Sequence, residues 1–360
     1  MLGVFVESYP MVRIVCHFFR FCKRQSSKMS PNTTPHESLH TGVIQPLPGI
    51  GDMIWYLPAL KAIAAAAPDS KITLFTKASA QASTVLGGEP MISDIVTLPS
   101  KRRGAAAVIP NFFRTWLALF RARPDRLFIL HQSFRYRLAA RLAGIREIIA
   151  YPPVLARSKE DGWKKSLSFL KQLGVPIAEP HSHLAVNPAT VAAMRQRFLN
   201  YPQPWLIIAP GASTATRLWP TERFAFCADA LIDKTGGTVF LIGSQQESER
   251  IAAVQRSCRN ADKTVLLSGL PFDQVMGLIA CSACLLGNDS GPANVAAALG
   301  CLAFPLCGTS TPPQHSPNLH FIMPDLASEM GGGGMERISA QHALDVIRSV
   351  MNADNGRDLG

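Results

Sequence analysis

The sequence has no apolar run that approaches the ~20 residues of a membrane-spanning helix, so no such helix is expected. Charged residues are also scarce, at 17% of the chain against 47% hydrophobic residues. That balance is typical of a folded protein with a sizeable core and excludes a disordered one. A chain of 360 residues is long for a single core and fits two domains of about 150 residues each.

Acidic residues are outnumbered by basic ones, 25 to 36, which gives a net charge of +11. This surplus predicts an anionic partner, which by charge alone could be nucleic acid, an anionic membrane or a phosphorylated substrate. The bias is strongest between Lys101 and Arg146, where eleven Lys or Arg accompany a single acid, Asp125. An ordinary solvated surface can have such a composition, but clustering in one half of the chain favours a patch that meets an anion.

Several common site signatures are missing. Cys281 and Cys284 form a lone CxxC without a second pair or a His cluster, so a zinc site is not predicted. The eight cysteines sit mostly in apolar segments, which predicts buried, reduced thiols of a cytosolic protein. Neither GxxxxGK[ST] nor a GxGxxG after a strand occurs, so the familiar P-loop and dinucleotide-binding signatures are excluded.

Strand and helix patterns alternate along the chain, and this alternation predicts doubly wound parallel sheets. Strands are predicted in the first half at residues 42–45, 72–75, 94–98 and 127–130, and in the second at 205–209, 239–242, 265–267, 284–286 and 303–306. We predict a disordered basic tail at 1–40, a first domain at 41–195, a second at 196–351 and a short tail at 352–360. An amphipathic helix on a membrane surface is the alternative for the first tail.

Polar loops follow the predicted strands of the second half, where open α/β sheets bind their ligands. The loop 210–220 offers free N–H groups, hydroxyls and one guanidinium before a helix, which suits a diphosphate. The carboxylate of the loop 243–247 could take a ribose hydroxyl pair, and the loop 287–291 leads into a small-residue helix. The residues that these loops offer to a ligand with a diphosphate and a ribose are Gly211, Ser213, Thr214, Arg217, Glu247, Asp289, Ser290 and Gly291.

In the first half, Asp52 stands at the start of a predicted helix. Taken alone, it is best interpreted as a helix N-cap, a role that Asp fills well.

Three motifs in this order resemble glycosyltransferase family 9, the lipopolysaccharide heptosyltransferases. They are Gly51-Asp52 with Leu57-Pro58-Ala59-Leu60, Pro210-Gly211-Ala212 with Trp219-Pro220, and Asn288-Asp289-Ser290-Gly291-Pro292 with Ala296-Ala297-Ala298-Leu299-Gly300. The resemblance spans about residues 41–351. It implies a GT-B fold, in which two Rossmann-like domains face each other across a cleft and bind the acceptor on the first domain and the nucleotide sugar on the second.

The resemblance also implies roles for individual residues. Asp52 falls at the position of the general base, Arg217 at that of a basic residue, usually lysine, on the donor phosphates, and Asp289 with Ser290 and Gly291 in the donor-sugar loop. Glu247 matches a ribose-binding acid less closely. Acceptor-binding residues are predicted in the basic part of the first domain, at Arg135 and Arg137. Two positions depart from the family pattern: Asn294 replaces a frequent histidine, and Gln45-Pro46-Leu47-Pro48 replaces a loop that usually carries arginine or lysine.

The predicted reaction is the inverting, metal-independent transfer of a heptose from ADP-heptose to the inner core of lipopolysaccharide, with no cofactor and no nucleic acid partner. The predicted enzyme is a monomer in the cytoplasm, and peripheral contact with the inner membrane is left open. One alternative is a GT-B enzyme that uses another nucleotide sugar, either as a transferase or as an epimerase. Another is a non-catalytic basic α/β protein that binds nucleic acid.

Overall fold

The first half of the chain forms a parallel five-stranded sheet in the computed structural model, which describes residues 39–100, 108–157, 160–308, 313–324 and 334–355. The strands are β1 (Thr41–Ile44), β2 (Ile72–Lys77), β3 (Ile92–Leu98), β4 (Arg126–Ile129) and β5 (Glu147–Ala150). The helices are α1 (Ile50–Ala65), α2 (Ala82–Val85), α3 (Val108–Ala122), α4 (Phe134–Leu142), α5 (Pro153–Arg157) and α6 (Gly162–Gln172).

The second half forms another parallel five-stranded sheet. Helix α7 (Pro188–Arg197) precedes it, and its strands are β6 (Trp205–Ala209), β7 (Thr238–Gly243), β8 (Thr264–Ser268), β9 (Cys284–Asn288) and β10 (Leu302–Leu306). The connecting and final helices are α8 (Thr221–Thr235), α9 (Ser248–Ser257), α10 (Phe272–Ile279), α11 (Gly291–Ala298) and α12 (Ala340–Asn355).

Both sheets have the same topology, although the two halves share no sequence repeat. The first sheet has the order β3-β2-β1-β4-β5, and the second has the order β8-β7-β6-β9-β10. Within each sheet the strand order reverses beside the first strand of that half, between β1 and β4 and between β6 and β9. Ligands of open α/β sheets bind at the carboxyl ends of the strands beside this reversal. The topology therefore singles out the loops after β1, β6 and β9.

Alternating residues along the strands supply separate cores on the two faces of each sheet. In β1, Val43 belongs to a central cluster that also contains α1, whereas Ile44 packs against α3 and α4 on the other face. The central cluster continues into the second sheet through α11, and a third cluster covers the far face of that sheet under α8 and α12. Helices α1 and α11 pack against each other, so the two halves are joined at the starts of the helices that bear the site.

The predicted doubly wound α/β fold is confirmed, and the structure adds elements that sequence patterns missed. These are β5, α5, α6 and α12, whereas α9 and α10 lie where the strand spacing predicts one helix between successive strands. The proposed boundary between residues 195 and 196 lies inside α7, whose Arg197 donates to Gln274 of α10 in the second half. The domain limits stay a prediction.

The predicted tails lie mostly outside the described residues. The backbone N–H of His40, the last residue of the first tail, donates a hydrogen bond to Asp125 Oδ2 at 3.1 Å. The second tail was predicted from residue 352, but α12 continues to Asn355.

Candidate active site

A cleft of about 970 Å³ lies where the loops after β1, β6, β7, β8 and β9 come together. Its size suits a ligand as large as a nucleotide sugar, since small-molecule sites range up to about 1,000 Å³. The first half contributes the start of α1, and the second half contributes the loops that the sequence singled out. Asp52 and all the predicted donor-site residues except Thr214 line this cleft.

Asp52 lies at the third position of α1 and is not the N-cap, a place that Gly49 occupies. Its Oδ2 accepts the backbone N–H of Gly49 at 3.0 Å, which is the acidic half of a capping box. Burial raises the pKa of the Asp52 carboxyl, while the Gly49 hydrogen bond and the charge of Lys77 act against that rise. The structure thus corrects the N-cap interpretation and places a partly buried carboxylate in the lining of the cleft at the helix start.

The loop 210–220 owes its shape to buried polar contacts from two neighbouring elements. Asn288, at the end of β9, donates from Nδ2 to the carbonyl of Pro210 at 2.7 Å and accepts the N–H of Trp219 at 3.2 Å. Arg250 of α9 donates from Nε to the Pro210 carbonyl at 2.7 Å and from a second nitrogen to the Trp219 carbonyl. The two ends of the loop are therefore tied together, which fixes the short 3₁₀ turn that carries Arg217.

Arg217 and Asp289 form an ion pair across the cleft loops, with 3.4 Å between Nη1 and Oδ2. Burial raises the pKa of Asp289, and the Arg217 guanidinium partly opposes this rise. Arg217 is half exposed, so an anionic ligand can reach its remaining N–H donors. Ser290 follows Asp289 in an extended conformation and caps α11 without a side-chain hydrogen bond, so the first turn of that helix opens on the cleft.

Glu247 is held in place by Ser244, whose N–H and hydroxyl both contact Oε2, at 2.7 and 2.8 Å. Its Oε1 points at Gly211, where an added Cβ would come to 1.8 Å. Only glycine at position 211 leaves the carboxylate where it is. Glu247 therefore lies in the cleft beside the loop 210–220, in a position that fits the predicted contact with a ribose hydroxyl pair.

The sequence did not reveal an apolar edge of the cleft that β7, β8 and α10 provide. It consists of Ile242, Leu270, Phe272 and Val275, with Gly269 beside them. Ile242 is an apolar residue inside β7, and Leu270, Phe272 and Val275 lie in the mostly apolar segment after β8, so none of them gave a signal of a site. An apolar edge next to the Glu247 carboxylate suits a nucleobase.

A hydrogen-bond network around Asn294 was also missed. Its Oδ1 accepts from Trp55 Nε1 of α1 at 2.8 Å and lies 2.9 Å from Nε2 of His315, while its Nδ2 donates to the carbonyl of Ser290 at 2.9 Å. Since a carbonyl oxygen only accepts, Nε2 of His315 carries the proton. Burial lowers the pKa of His315 to about 4. Asn294 thus joins the two halves directly beneath the cleft, where Gly51 approaches its side chain so closely that an added Cβ would lie 3.2 Å away.

Three predicted site residues lie outside the lining of the cleft. Thr214 is exposed, and its hydroxyl is 3.3 Å from that of Thr216. Arg135 is exposed near the start of α4, with Nε 3.4 Å from the Ser133 hydroxyl. Arg137 is partly buried and donates to the carbonyl of Tyr151. The structure does not bring the two arginines together with Asp52, so their acceptor-binding role stays a prediction.

Within the described ranges, no group of three or more His, Cys, Asp or Glu side chains is placed to hold a metal ion. The same ranges contain no helix long and apolar enough to cross a bilayer.

The chain is similar in sequence to known glycosyltransferases. The family model for glycosyltransferase family 9 (heptosyltransferase) matches residues 163–320. Lipopolysaccharide heptosyltransferase 3 of Escherichia coli is 24% identical over 72% of this chain and 81% of the relative, and lipopolysaccharide heptosyltransferase 2 of Escherichia coli K12 is 30% identical over 62% and 65%. The chain is thus similar to the heptosyltransferases of glycosyltransferase family 9.

Solved structures of the family confirm the GT-B fold. A family 9 glycosyl transferase from Veillonella parvula superposes with a TM-score of 0.73 at 19% identity, covering 90% of this chain and 100% of its own. The Escherichia coli ADP-heptose lps heptosyltransferase II gives 0.69 at 21% identity, covering 88% and 99%. Both family structures extend over the two sheets, so the cleft lies between the domains of a GT-B enzyme.

Proposed function

We propose that this family 9 enzyme transfers a heptose from ADP-heptose to the inner core of lipopolysaccharide, with inversion and without a metal. The observation that carries the proposal is the pairing, in one cleft, of a partly buried carboxylate at the start of α1 with the Arg217–Asp289 pair on the opposite wall. The names of the relatives support heptose as the sugar and lipopolysaccharide as the acceptor.

In this proposal the donor lies along the wall that the second half provides. The adenine packs on the edge that Phe272 and Leu270 help to form, and Glu247 accepts a ribose hydroxyl through Oε1. Arg217 and the N-terminus of α11 bind the diphosphate, because guanidinium donors and free N–H groups at a helix start both favour an anion. Asp289 restricts the orientation of the Arg217 guanidinium through their ion pair. Its carboxylate can also accept hydrogen bonds from the hydroxyls of the sugar.

The reaction forms a bond between an acceptor oxygen and the anomeric carbon and breaks the bond from that carbon to the diphosphate. Asp52 takes the proton of the attacking hydroxyl, a general-base contribution of about 10² to 10⁴ in rate. Its raised pKa makes it a stronger base than an ordinary exposed aspartate. The departing ADP gains negative charge, which Arg217 and the start of α11 stabilise from fixed positions.

The acceptor binds the first half in this proposal, and the enzyme works at the cytoplasmic surface of the inner membrane as a monomer. Arg135 is the better placed of the two predicted acceptor contacts, because its exposed guanidinium follows the carboxyl end of β4, next to β1 in the sheet. Arg137 already donates to the Tyr151 carbonyl.

Calorimetry with ADP-heptose on wild type and Arg217→Ala tests the donor site. Loss of a charge-assisted contact should weaken binding by about 1.5 to 3 kcal/mol, which is roughly 10- to 150-fold in affinity. Arg256→Ala is the matched control, because Arg256 also pairs with a carboxylate, at 2.6 Å, but lies on α9 outside the cleft lining. Equal affinity of Arg217→Ala and wild type would remove Arg217 from the donor site.

A further inference from the structure

The face of the first sheet opposite α1 is covered by two helices, α3 and α4, which pack side by side. Their inner sides are apolar or small and buried, with Leu119 of α3 and Ala139 and Ala140 of α4 in contact with the sheet. Their outer sides form the surface that we call the α3–α4 face. This face contributes no residue to the lining of the cleft, and of its residues only Arg135 has a part in the proposed function, as an acceptor contact.

Large apolar side chains run along the outside of both helices. On α4, Phe134, Leu138 and Leu142 recur every four residues and are all exposed, Phe134 to 71%. On α3, Ile109 and Phe113 have the same spacing and are also exposed. Residues four apart lie on one side of a helix, so each helix presents an apolar stripe to solvent. Contiguous apolar surface of this kind marks a contact with a protein or a membrane.

Arginines flank these stripes, and no acid offsets them within either helix. Arg114 and Arg121 are exposed on α3, and Arg135 and Arg141 are exposed on α4. Residues 108–122 and 134–142 contain no Asp or Glu. Among the described residues, none of these four arginines forms an ion pair. An apolar stripe bordered by unpaired cations fits the interface of an anionic bilayer, where the rings enter the acyl boundary and the guanidiniums meet phosphates.

The orientation of the face suits an acceptor that is held in a membrane. Helix α4 begins just after the carboxyl end of β4, which pairs with β1, and β1 leads into the loop that carries Asp52. Phe134 and Leu138 therefore lie near the same sheet edge as the cleft.

We propose that the α3–α4 face docks the enzyme on an anionic lipid bilayer. The role of this docking rests on the proposed function, because docking would bring the cleft to a lipid-anchored acceptor. The docking itself can be measured without any sugar. A nucleic acid would contact the arginines but leave the apolar stripes exposed to water. A bilayer would contact both, so it explains more of the residues on this face.

Flotation of the full chain with vesicles tests the proposal. Wild type should float with vesicles of phosphatidylethanolamine and phosphatidylglycerol, weakly or not at all with phosphatidylcholine alone, and less at high salt. Phe134→Ser with Leu138→Ser should lower partitioning at least about tenfold, since both large apolar side chains are lost from the apolar phase. Arg114→Gln with Arg141→Gln should lower it by about fivefold per arginine. Leu199→Ser is the control, because Leu199 is 67% exposed but lies beyond α7.

An unchanged thermal shift with ADP shows that each variant is folded. The proposal is overturned if wild type ignores anionic vesicles, if both double variants float as wild type does, or if the same residues govern binding to duplex DNA or RNA but not to vesicles. Failure of heptose transfer with intact vesicle binding would contradict the proposed function alone. Loss of vesicle binding with intact transfer to a delipidated core oligosaccharide, in the double variants, supports the docking face.

Discussion

Asp52 can act as the general base or only as the acceptor in the capping box, and a single substitution separates these two roles. Asn keeps the oxygen that accepts the Gly49 N–H but cannot take a proton. If Asp52 is the base, Asp52→Asn should lower turnover by about two to four orders of magnitude and leave the melting temperature nearly unchanged. Both quantities should be measured on one preparation.

The pH dependence of turnover is a second test of Asp52 as the general base. Because a base works only when deprotonated, turnover of wild type should fall as the pH drops through the raised pKa of Asp52. Near-wild-type turnover of Asp52→Asn would leave the acceptor's proton to another group and confine Asp52 to the capping box.

His315 predicts a dependence of stability on acid. Its pKa is lowered from 6.5 to about 4 in the folded state, so between these values the unfolded chain binds a proton that the folded chain does not. The free energy of unfolding is therefore fully present above the unfolded pKa and falls as the pH drops toward 4, by about 2 kcal/mol between pH 7 and pH 5. His315→Gln retains an N–H donor for Asn294 without titrating in this range. Urea unfolding should show a smaller loss for this variant than for wild type, and equal losses would contradict the assignment.

Helices α1 and α11 meet through the hydrogen bond from Trp55 to Asn294, which can be measured by a double-mutant cycle. Trp55→Phe removes the N–H and keeps a ring, and Asn294→Ala removes the acceptor. The cycle should return a coupling free energy of about 0.5 to 1.5 kcal/mol in unfolding. Trp55→Phe combined with Asn260→Ala is the control. Asn260 contacts Asp229 and Asp233 in the second half, and this pair should be additive. Additivity of the first pair would mean that the contact contributes nothing to joining the helices.

Sequence patterns predicted those elements whose ends are marked by polar or glycine-rich loops. The run Gly287–Gly291 after a buried strand predicted both β9 and a loop that lines the cleft, and the same reasoning predicted β6 and the loop of Arg217. By contrast, β5 has only four residues, and α10 begins after an apolar turn, so neither had a clear boundary. The apolar edge of the cleft gave no signal for the same reason.

The Asn294 network could not have been predicted from local sequence. Trp55 and Asn294 are 239 residues apart, and their contact exists only because α1 and α11 pack at the junction of the two sheets. The departure from the family pattern at Asn294 was visible, but its partners were not. For Arg135 and Arg137 the sequence showed only that they lie in a basic region, and the contacts of each guanidinium came from the structure.

Duplication of one topology accounts for the position of the active site. Each half places its strand-order reversal beside its first strand, and the two reversals face the same cleft. The first contributes the start of α1 with Asp52, and the second contributes the loops of Arg217 and Asp289. A carboxylate on one half and a cationic loop on the other fit the proposed transfer between two bound substrates, because neither half alone holds both.

The central claim is that this cleft transfers a heptose from ADP-heptose to a lipopolysaccharide core. The most direct measurement is mass spectrometry of a heptose-free core acceptor after incubation with the purified chain and ADP-heptose. We predict an acceptor heavier by one heptose residue, release of ADP in equal amount, and no product from ADP-heptose alone. An unmodified acceptor with ADP-heptose, together with transfer from another nucleotide sugar or conversion of the donor without any acceptor, would contradict the account.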